Sequence, residues 1–219
     1  MRKAIVTFGV GTHAELLDIA RPSFMAFANK HNYDYYEAPI VGHQRPAPWY
    51  KVQCLLDLLD HYNMAVFFGC DMVIVDGRAD LPITNPDWDW GWYQALVVHH
   101  TQCGDVPNDD MWVCNQTMIP WLKRVWDKTE YMHHGWWEQA ALLDLMGYDH
   151  LQVEQFPIRQ TDPNNELYKN TMFLAGDWNV HIWDTPQPSY ARIQHATMWP
   201  DRVAIMKEWA KQAEVWIND

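Results

Sequence analysis

The sequence predicts an α/β protein with a single domain, in which helices flank a mixed, mostly parallel central sheet. Two patterns predict it. The first is an alternation over the first 78 residues, where short apolar runs typical of strands buried on both faces are separated by segments with apolar residues at helical spacing. This strand–helix–strand order is typical of parallel strands joined by right-handed crossovers.

The second pattern is the stretch VFFGCDMVIVDG at residues 66–77, which places one acid, Asp71, between two apolar runs. Burying an isolated charge is costly. We therefore expect Asp71 at the carboxyl edge of the sheet, where open α/β folds bind their ligands. An aspartate that caps a turn at a strand end is the alternative interpretation.

Composition narrows the classes of function. The chain has 219 residues, of which 48% are hydrophobic and 20% charged, so a globular domain is expected. A net charge of −12 disfavours binding to duplex nucleic acid or to anionic lipid. The first apolar run is too short for a signal peptide or a membrane span. The four cysteines have no CxxC spacing, so we expect a cytoplasmic protein with free thiols.

The first part of the chain predicts strands and helices in alternation. Residues 3–8 form a strand, and the glycines after it permit a tight turn but lack the GxGxxG spacing of dinucleotide-binding folds. A helix over residues 14–30 follows, which we expect Pro22 to interrupt because proline removes a backbone donor. The remaining elements are a strand at 33–37, a helix at 49–62 and a strand at 65–68.

The second part predicts shorter elements. The strands are at 94–99, 111–114, 151–156, 172–174 and 179–182, and the helices are at 119–127, 136–146 and 201–216. The polar composition of residues 103–110 and 157–170 predicts loops.

Three tryptophans, Trp88, Trp90 and Trp92, alternate with other residues in the predicted loop 79–92. Alternation indicates an extended segment that presents one aromatic face, and tryptophan rings stack on partly apolar ligands such as sugars. Two interpretations stay open: an edge strand that packs these rings inward, and a platform for an acceptor.

Two histidine pairs, His99-His100 and His133-His134, do not predict a metal site. Adjacent residues on a strand point to opposite faces, so such pairs rarely chelate one ion. We interpret them as ordinary loop or acceptor-site histidines.

Several segments, taken in chain order, carry a family resemblance. They are PAPWYKVQCLLDLL at 46–59, the apolar strand with Asp71 at its end, the asparagine after the strand at 111–114, HHGWWEQAAL at 133–142, and a late histidine followed by an arginine. Together they resemble the GT-A fold glycosyltransferases, most closely glycosyltransferase family 34, the galactosyl- and xylosyltransferase group. The resemblance covers nearly the whole chain, and WWEQAAL and WYK are its most specific parts.

The resemblance implies a GT-A fold, with residues 1–78 as the nucleotide-binding half and 79–219 as the acceptor and catalytic half. It implies transfer of a hexose or pentose from a nucleotide sugar, with UDP-sugars favoured, to a hydroxyl acceptor, with retention of configuration. The acceptor classes left open are a glycan, a lipid-linked sugar, a protein and a modified nucleobase. The family's DxD motif falls on Gly69-Cys70-Asp71 and is degenerate, because its first acid is missing.

The resemblance also implies roles for individual residues. Asp71 and His195 would hold a divalent metal, and mixed oxygen and nitrogen ligands favour Mn²⁺ over Mg²⁺. Glu138 and Gln139 would lie beneath the donor sugar as catalytic residues. The expected donor and nucleotide contacts are Thr7, Gly9, Lys51, Asn115 and Arg202. The missing first acid leaves an alternative open: a catalytically silent GT-A-like protein that binds carbohydrate or nucleotide.

Overall fold

The computed structural model describes residues 1–39, 44–84, 91–151 and 156–219. In these ranges the strands are β1 (Lys3–Thr7), β2 (Asp34–Glu37), β3 (Met64–Phe68), β4 (Met72–Ile74), β5 (Gln94–Thr101), β6 (Gly104–Asn115), β7 (Thr171–Leu174), β8 (Val180–His181) and β9 (Ile193–His195). The helices are α1 (His13–His31), α2 (Tyr50–Leu59), α3 (Ile119–Asp127), α4 (Trp137–Leu145), α5 (Glu166–Lys169) and α6 (Arg202–Ile217).

The central sheet has the strand order β2-β1-β3-β6-β5-β7. Strands β1, β2 and β3 pair in parallel, as do β5 and β7, and β6 runs antiparallel to both of its neighbours. This is the mixed, mostly parallel sheet that the sequence predicts, so the expected fold class is confirmed.

Helices cover both faces of this sheet because each face carries its own apolar cluster. Helices α1 and α6 pack on one face, where Phe24, Phe27 and Met206 are fully buried. Helices α2, α3 and α4 cover the other face, where Leu55 and Leu122 are fully buried. The two layers leave the carboxyl ends of the parallel strands uncovered, and the loops that carry the site lie there.

A second, three-stranded sheet with the order β4-β9-β8 stands beside the central one. The chain turns at Gly69–Asp71 after β3, so the two apolar runs of the stretch 66–77 enter different sheets. Strand β4 pairs antiparallel with β9, with Met72 opposite His195. This pairing joins two segments that are far apart in the sequence.

Helix α1 is continuous through Pro22, which corrects the interruption expected there. The proline ring lies on the exposed side of the helix, while Phe24 and Phe27 on the buried side pack against Phe68. The Ser23 hydroxyl donates to the carbonyl of Ala20 at 2.8 Å and accepts the N–H of Ile74 at 3.2 Å. Packing of the buried face therefore outweighs the lost backbone donor.

Residues 104–110 belong to β6, which corrects the loop expected at 103–110. The polar residues that suggested a loop have partners inside the fold. Asp109 is fully buried and pairs with Lys51, and the Asn108 side chain accepts from Asn179 at 2.9 Å. A buried polar group with a partner is tolerated within a strand, and composition does not show the partner.

Several expectations fall on other parts of the chain. Residues 152–155 of the strand expected at 151–156 lie outside the described residues, as do Trp88 and Trp90. The loop expected at 157–170 contains the short helix α5. Among the described helices, none is long and apolar enough to cross a bilayer.

One glycine provides a direct test of the packing between α6 and β4. A Cβ on Gly77 would lie 2.5 Å from the ring of Trp216, whose indole N–H donates to the carbonyl of Ile74 at 3.0 Å. We expect Gly77→Ala to lower the free energy of unfolding by about 1–3 kcal/mol because the indole must move. Urea unfolding measures the difference. The control is Gly91→Ala, since no described atom lies within 4 Å of a Cβ at Gly91. Equal midpoints for the two variants would contradict the packing argument.

Candidate active site

A cleft of about 720 Å³ opens at the carboxyl edge of the central sheet. Its walls come from the turn after β1, the start of α2, the turn after β3, the hairpin of β5 and β6, and the starts of α4 and α6. The volume lies in the range of small-molecule sites. Asp71 lines this cleft, so the carboxyl-edge position expected from the sequence is observed.

Two carboxylates at the floor of the cleft converge with an imidazole that is buried behind them. His195 Nε2 lies 3.5 Å from Asp71 Oδ1 and 3.5 Å from Asp110 Oδ2. The backbone explains part of this arrangement, because the N–H of Ala196 donates to the carbonyl of Asp71 at 2.8 Å where β9 meets β4. The two residues expected to share a metal, Asp71 and His195, are therefore neighbours in space.

The orientation of the His195 ring is set from its other nitrogen. Nδ1 lies 3.1 Å from Asn179 Oδ1, and the amide of Asn179 donates to Asn108. The ring is fully buried, and Nε2 has no hydrogen-bond partner among the described residues. In the neutral ring, where Nδ1 carries the hydrogen towards Asn179, Nε2 would hold a lone pair that faces the two carboxylates.

Charged neighbours shift the pKa values of both Asp71 and His195. Burial acts to raise the pKa of Asp71, but His195 and Arg202 outweigh burial and hold this pKa below its ordinary value. Burial acts to lower the pKa of His195, but Asp71 and Asp110 outweigh it and raise this pKa. Arg202 Nη1 lies 3.3 Å from Asp71 Oδ2, and the arginine side chain is one-third exposed. Arg202 therefore keeps N–H groups that can reach a ligand.

Asp110 is a site residue that the sequence did not reveal, since it lies in a segment expected to be a loop. In the fold, Asp110 and Gly69 lie on neighbouring strands, and the N–H of Gly69 donates to the carbonyl of Asp110 at 2.7 Å. A Cβ on Gly69 would lie 3.3 Å from the Asp110 Cβ and 3.2 Å from Asp71 Oδ1. Because position 69 has no side chain, the Asp110 carboxylate has room beside Asp71. Asp110 thus brings a second acid next to Gly69 and Asp71.

The three converging residues suit a divalent cation in chemistry, since they offer two carboxylates and an imidazole. Within the described ranges, no group of three or more histidine, cysteine, aspartate or glutamate side chains has the compactness of a complete metal centre. Asp71, Asp110 and His195 are therefore not a complete metal centre by themselves.

Lys51 lies behind the floor and holds three acids together. Its ammonium lies 2.8 Å from Asp110 Oδ1, 2.8 Å from Glu138 Oε1 and 3.1 Å from Asp109 Oδ1, and Lys51 is only 3% exposed. Lys51 also lines the cleft, so its expected contact with a phosphate stays a prediction. Its charge is already compensated by carboxylates, and its structural effect is to hold Asp110 and Glu138 in place.

An excess of acids around Lys51 shifts their pKa values. Burial raises the pKa of Glu138 to about 8, although Lys51 opposes the shift. Burial raises the pKa of Asp109 to about 6 against the same opposing charge. Burial acts in the same sense on Asp110, but Lys51 and His195 outweigh it and hold the pKa of Asp110 below its ordinary value. Near pH 7 Glu138 is therefore mostly neutral, whereas Asp110 is ionised.

The start of α4 forms another wall of the cleft. Glu138 and Gln139 both line it, as the sequence predicts for residues in the first turn of that helix. The Gln139 amide donates to the carbonyl of Pro107 at 3.0 Å, which fixes the orientation of its side chain.

Two residues of the cleft wall have a left-handed backbone conformation. Trp137 has a φ of 43° and Met198 has a φ of 62°. Such strained backbone positions in non-glycine residues cluster at functional sites.

Asn115 lies away from this cleft, which corrects its expected donor contact. It pairs with Met64 at the start of β3, at the opposite edge of the sheet from Asp71. Its side chain accepts the N–H of Thr117 at 2.9 Å and donates to the carbonyl of Trp92. Asn115 therefore caps the turn before α3, and the asparagine in the cleft wall is Asn108.

Thr7 and Gly9, the residues expected to contact the nucleotide at the end of β1, are also placed differently from the prediction. Thr7 is fully buried, and Gly9 packs beneath the start of α1, where a Cβ would lie 2.6 Å from the carbonyl oxygen of His13. Neither lines the cleft, whereas their neighbours Phe8 and Val10 do. The cleft therefore reaches this strand end through other residues of the turn, and a nucleotide contact there stays a prediction.

Trp92, the one described member of the three alternating tryptophans, does not contribute to an aromatic platform. Trp92 is 6% exposed and packs inward in the core, while Trp88 and Trp90 lie outside the described residues. The tryptophans that line the cleft are instead Trp136, Trp137 and Trp183. Trp137 is 39% exposed and Trp183 is 47% exposed, so both present ring surface to a ligand.

Comparison with known proteins gives structural matches alone. No protein-family profile matches the sequence, and no curated protein matches it. Among solved structures, a glycosyltransferase involved in the glycosylation of the major capsid of PBCV-1 matches with a TM-score of 0.68 at 12% identity, covering 96% of this chain and all of that one. The apo-form glycosyltransferase GlyE of Streptococcus pneumoniae TIGR4 matches with a TM-score of 0.61 at 14% identity. The match to GlyE covers 100% of this chain and 62% of GlyE.

A third match is the apo form of mouse xyloside xylosyltransferase 1, with a TM-score of 0.51 at 8% identity over 90% of this chain and 98% of that one. Three glycosyltransferases from a virus, a bacterium and a mammal thus share one architecture with this chain. The likeness establishes the fold: the chain has the GT-A architecture of glycosyltransferases.

The raised pKa of Glu138 predicts a pH dependence of stability. Between the ordinary value of about 4.5 and the folded value of about 8, the unfolded chain has lost this proton while the folded protein keeps it. Stability therefore falls as pH rises in this window, by up to about 1.4 kcal/mol per pH unit from this group. Glu138→Gln cannot ionise, so we expect a flatter profile of unfolding free energy between about pH 5 and 8.

Urea unfolding at several pH values measures the two profiles. The control is Glu208→Gln, which changes an exposed acid on α6 and should leave the slope unchanged. Parallel profiles for the parent and Glu138→Gln would show that Glu138 keeps an ordinary pKa in the folded protein.

Proposed function

We propose that this protein is a metal-assisted glycosyltransferase, which moves a hexose or pentose from a nucleotide sugar, most readily a UDP-sugar, to a hydroxyl acceptor. One observation carries the proposal. Two carboxylates and one imidazole, from Asp71, Asp110 and His195, converge in a cleft at the carboxyl edge of a sheet with glycosyltransferase architecture. Because fold alone does not imply activity, the proposal depends on these side chains.

Asp71, Asp110 and His195 would hold the divalent cation, and the imidazole favours Mn²⁺ over Mg²⁺ because Mg²⁺ prefers oxygen ligands. When bound, the cation supplies Lewis-acid stabilisation of the negative charge that develops on the leaving diphosphate. Arg202 contributes a second positive charge, since its guanidinium has five N–H donors and only one contacts Asp71 in this structure. Its remaining donors suit phosphate oxygens.

The start of α4 would contact the donor sugar. Glu138 is neutral near pH 7 because of its raised pKa, so a role as an ionised nucleophile is disfavoured. The Gln139 N–H₂ group donates to Pro107, which directs the carbonyl oxygen of this amide away from that contact and makes it available to an electron-poor anomeric carbon. Retention of configuration is part of the proposal, and the family resemblance is what supports it.

The alternative function is a catalytically silent protein that binds carbohydrate or nucleotide. Gly69 favours that alternative, since the first acid of the DxD motif is missing. Asp110 weakens it, because its carboxylate lies beside Asp71 and within 3.5 Å of His195. The geometry therefore supports the enzyme over the silent binding protein.

A binding experiment tests the cation site. We expect Asp110→Asn and Asp71→Asn each to weaken UDP binding in the presence of MnCl₂ by about tenfold or more, since each removes one charged ligand. Isothermal titration calorimetry with UDP, with and without MnCl₂, measures the effect. Asp105→Asn is the control, because Asp105 is an exposed acid on β6. Parental Mn²⁺-dependent affinity in Asp110→Asn would remove Asp110 from the cation site.

An activity screen distinguishes the two functions. We expect the unmodified protein to release nucleoside diphosphate from at least one member of a panel of UDP- and GDP-sugars when MnCl₂ is present, because the cleft stabilises the leaving group. A coupled assay of released UDP or GDP measures it. Binding of UDP without release from any sugar in the panel would favour the silent binding protein.

A further inference from the structure

His99 lies in the cleft wall, separate from the side chains of Asp71, Asp110 and His195, and it pairs with an aspartate. His99 Nδ1, near the end of β5, lies 2.9 Å and 3.1 Å from the two carboxylate oxygens of Asp184. Both residues are buried, with His99 4% exposed and Asp184 8% exposed. The backbone N–H of His181 also donates to Asp184, at 2.8 Å. Asp184 is therefore held in place independently of the histidine.

The pair determines what the other nitrogen of His99 can do. Burial acts to raise the pKa of Asp184, but hydrogen bonds from His99 and His181 outweigh it and lower this pKa. An ionised carboxylate can only accept hydrogen bonds, so Nδ1 of His99 must carry the hydrogen. In the neutral imidazole Nε2 then has a lone pair and no hydrogen. This buried Nε2 has no hydrogen-bond partner among the described residues.

The surroundings of His99 suit a saccharide. Its ring centre lies 6.5 Å from that of His195, which places the pair close to the cation site. Trp183, half-exposed in the same wall, contacts His181 edge to face with ring centres 5.3 Å apart. A hydrogen-bond acceptor beside an exposed indole matches a sugar, which offers hydroxyl donors at its edge and a partly apolar face.

We propose that His99 Nε2 accepts a hydrogen bond from the hydroxyl of a saccharide acceptor, that Asp184 positions His99 for this contact, and that the acceptor ring lies against Trp183. The inference rests on the proposed function, because an acceptor exists only if sugar is transferred. It deepens that function by assigning an acceptor subsite to residues 99, 183 and 184. The contact orients the nucleophilic oxygen and requires no proton transfer to His99.

The chain provides a matched control on the same strand. His100 Nδ1 lies 2.7 Å from Asp105 Oδ1, but these side chains are 60% and 75% exposed. Adjacent strand residues point to opposite faces, and neither His100 nor Asp105 lines the cleft of the candidate active site. The two pairs have the same chemistry, and of these four residues only His99 lines this cleft.

A spectroscopic test is independent of activity. Long-range ¹H–¹⁵N spectra of the ¹⁵N-labelled protein report the tautomer of each histidine, and the absence of one set of signals in His99→Gln assigns His99. We expect the tautomer with hydrogen on Nδ1 in the parent and loss of that preference in Asp184→Asn, since an amide can donate to Nδ1. Asp105→Asn should leave the His99 signals unchanged. Hydrogen on Nε2 of His99 in the parent protein would overturn the proposal.

A kinetic test examines the subsite itself. The donor is the nucleotide sugar that the unmodified protein cleaves, and the acceptors are a panel of p-nitrophenyl glycosides. We expect His99→Ala to raise the KM for the acceptor by about tenfold and to leave the affinity for UDP with MnCl₂ unchanged. His99→Gln should recover part of the loss, because its amide oxygen can accept the same hydrogen bond. His100→Ala should behave as the parent.

The outcomes separate this inference from the proposed function. Transfer by His99→Ala with the parental acceptor KM would overturn the acceptor contact while leaving the glycosyltransferase intact. An equal loss of UDP affinity and transfer would overturn it too, since His99 would then support the cation site. If the parent cleaves no nucleotide sugar, the proposed function fails, and the acceptor contact fails with it whatever tautomer the spectra show.

Discussion

The cleft depends on the carboxylate of Asp110, which links two groups of charges. One of its oxygens lies 2.8 Å from the buried ammonium of Lys51, and the other lies 3.5 Å from His195. Lys51 thereby connects the acids behind the floor to the acids that face the ligand. Removal of Lys51 would leave three clustered carboxylates without a compensating charge, which is strongly destabilising. Lys51 therefore holds the carboxylates of the cleft in position.

Two features of the fold make this link. Strand β6 is long enough to carry Asp109 and Asp110 past the end of β3, where they meet Lys51 at the start of α2. The small second sheet places His195 opposite Met72, immediately after Asp71. Asp110 thus lies beside Asp71 in space although the two residues are far apart in the sequence.

The three histidines at the cleft differ in their charged neighbours. His195 faces two carboxylates, and these raise its pKa despite burial. Burial, with the nearby His195 and His99, lowers the pKa of His181 to about 4, so His181 stays neutral near pH 7. His99 is oriented by Asp184 instead. Three imidazoles within 6.5 Å of one another therefore have different electrostatic surroundings.

The sequence by itself determined the order of the strands and helices on which the sheet is built, and it placed Asp71 at the carboxyl edge. Apolar periodicity is local, so it can be read without the fold. It also paired Asp71 with His195, but only through the family resemblance. Tertiary structure alone decided that Asp110 joins them, that Lys51 is enclosed by acids, that Asn115 lies at the far edge, and that His99 meets Asp184 across 85 positions. These contacts come from strand register and from pairing between segments that are far apart in the sequence, which local patterns do not encode. A polar segment such as 104–110 enters a sheet only when distant partners form hydrogen bonds or ion pairs with its buried groups.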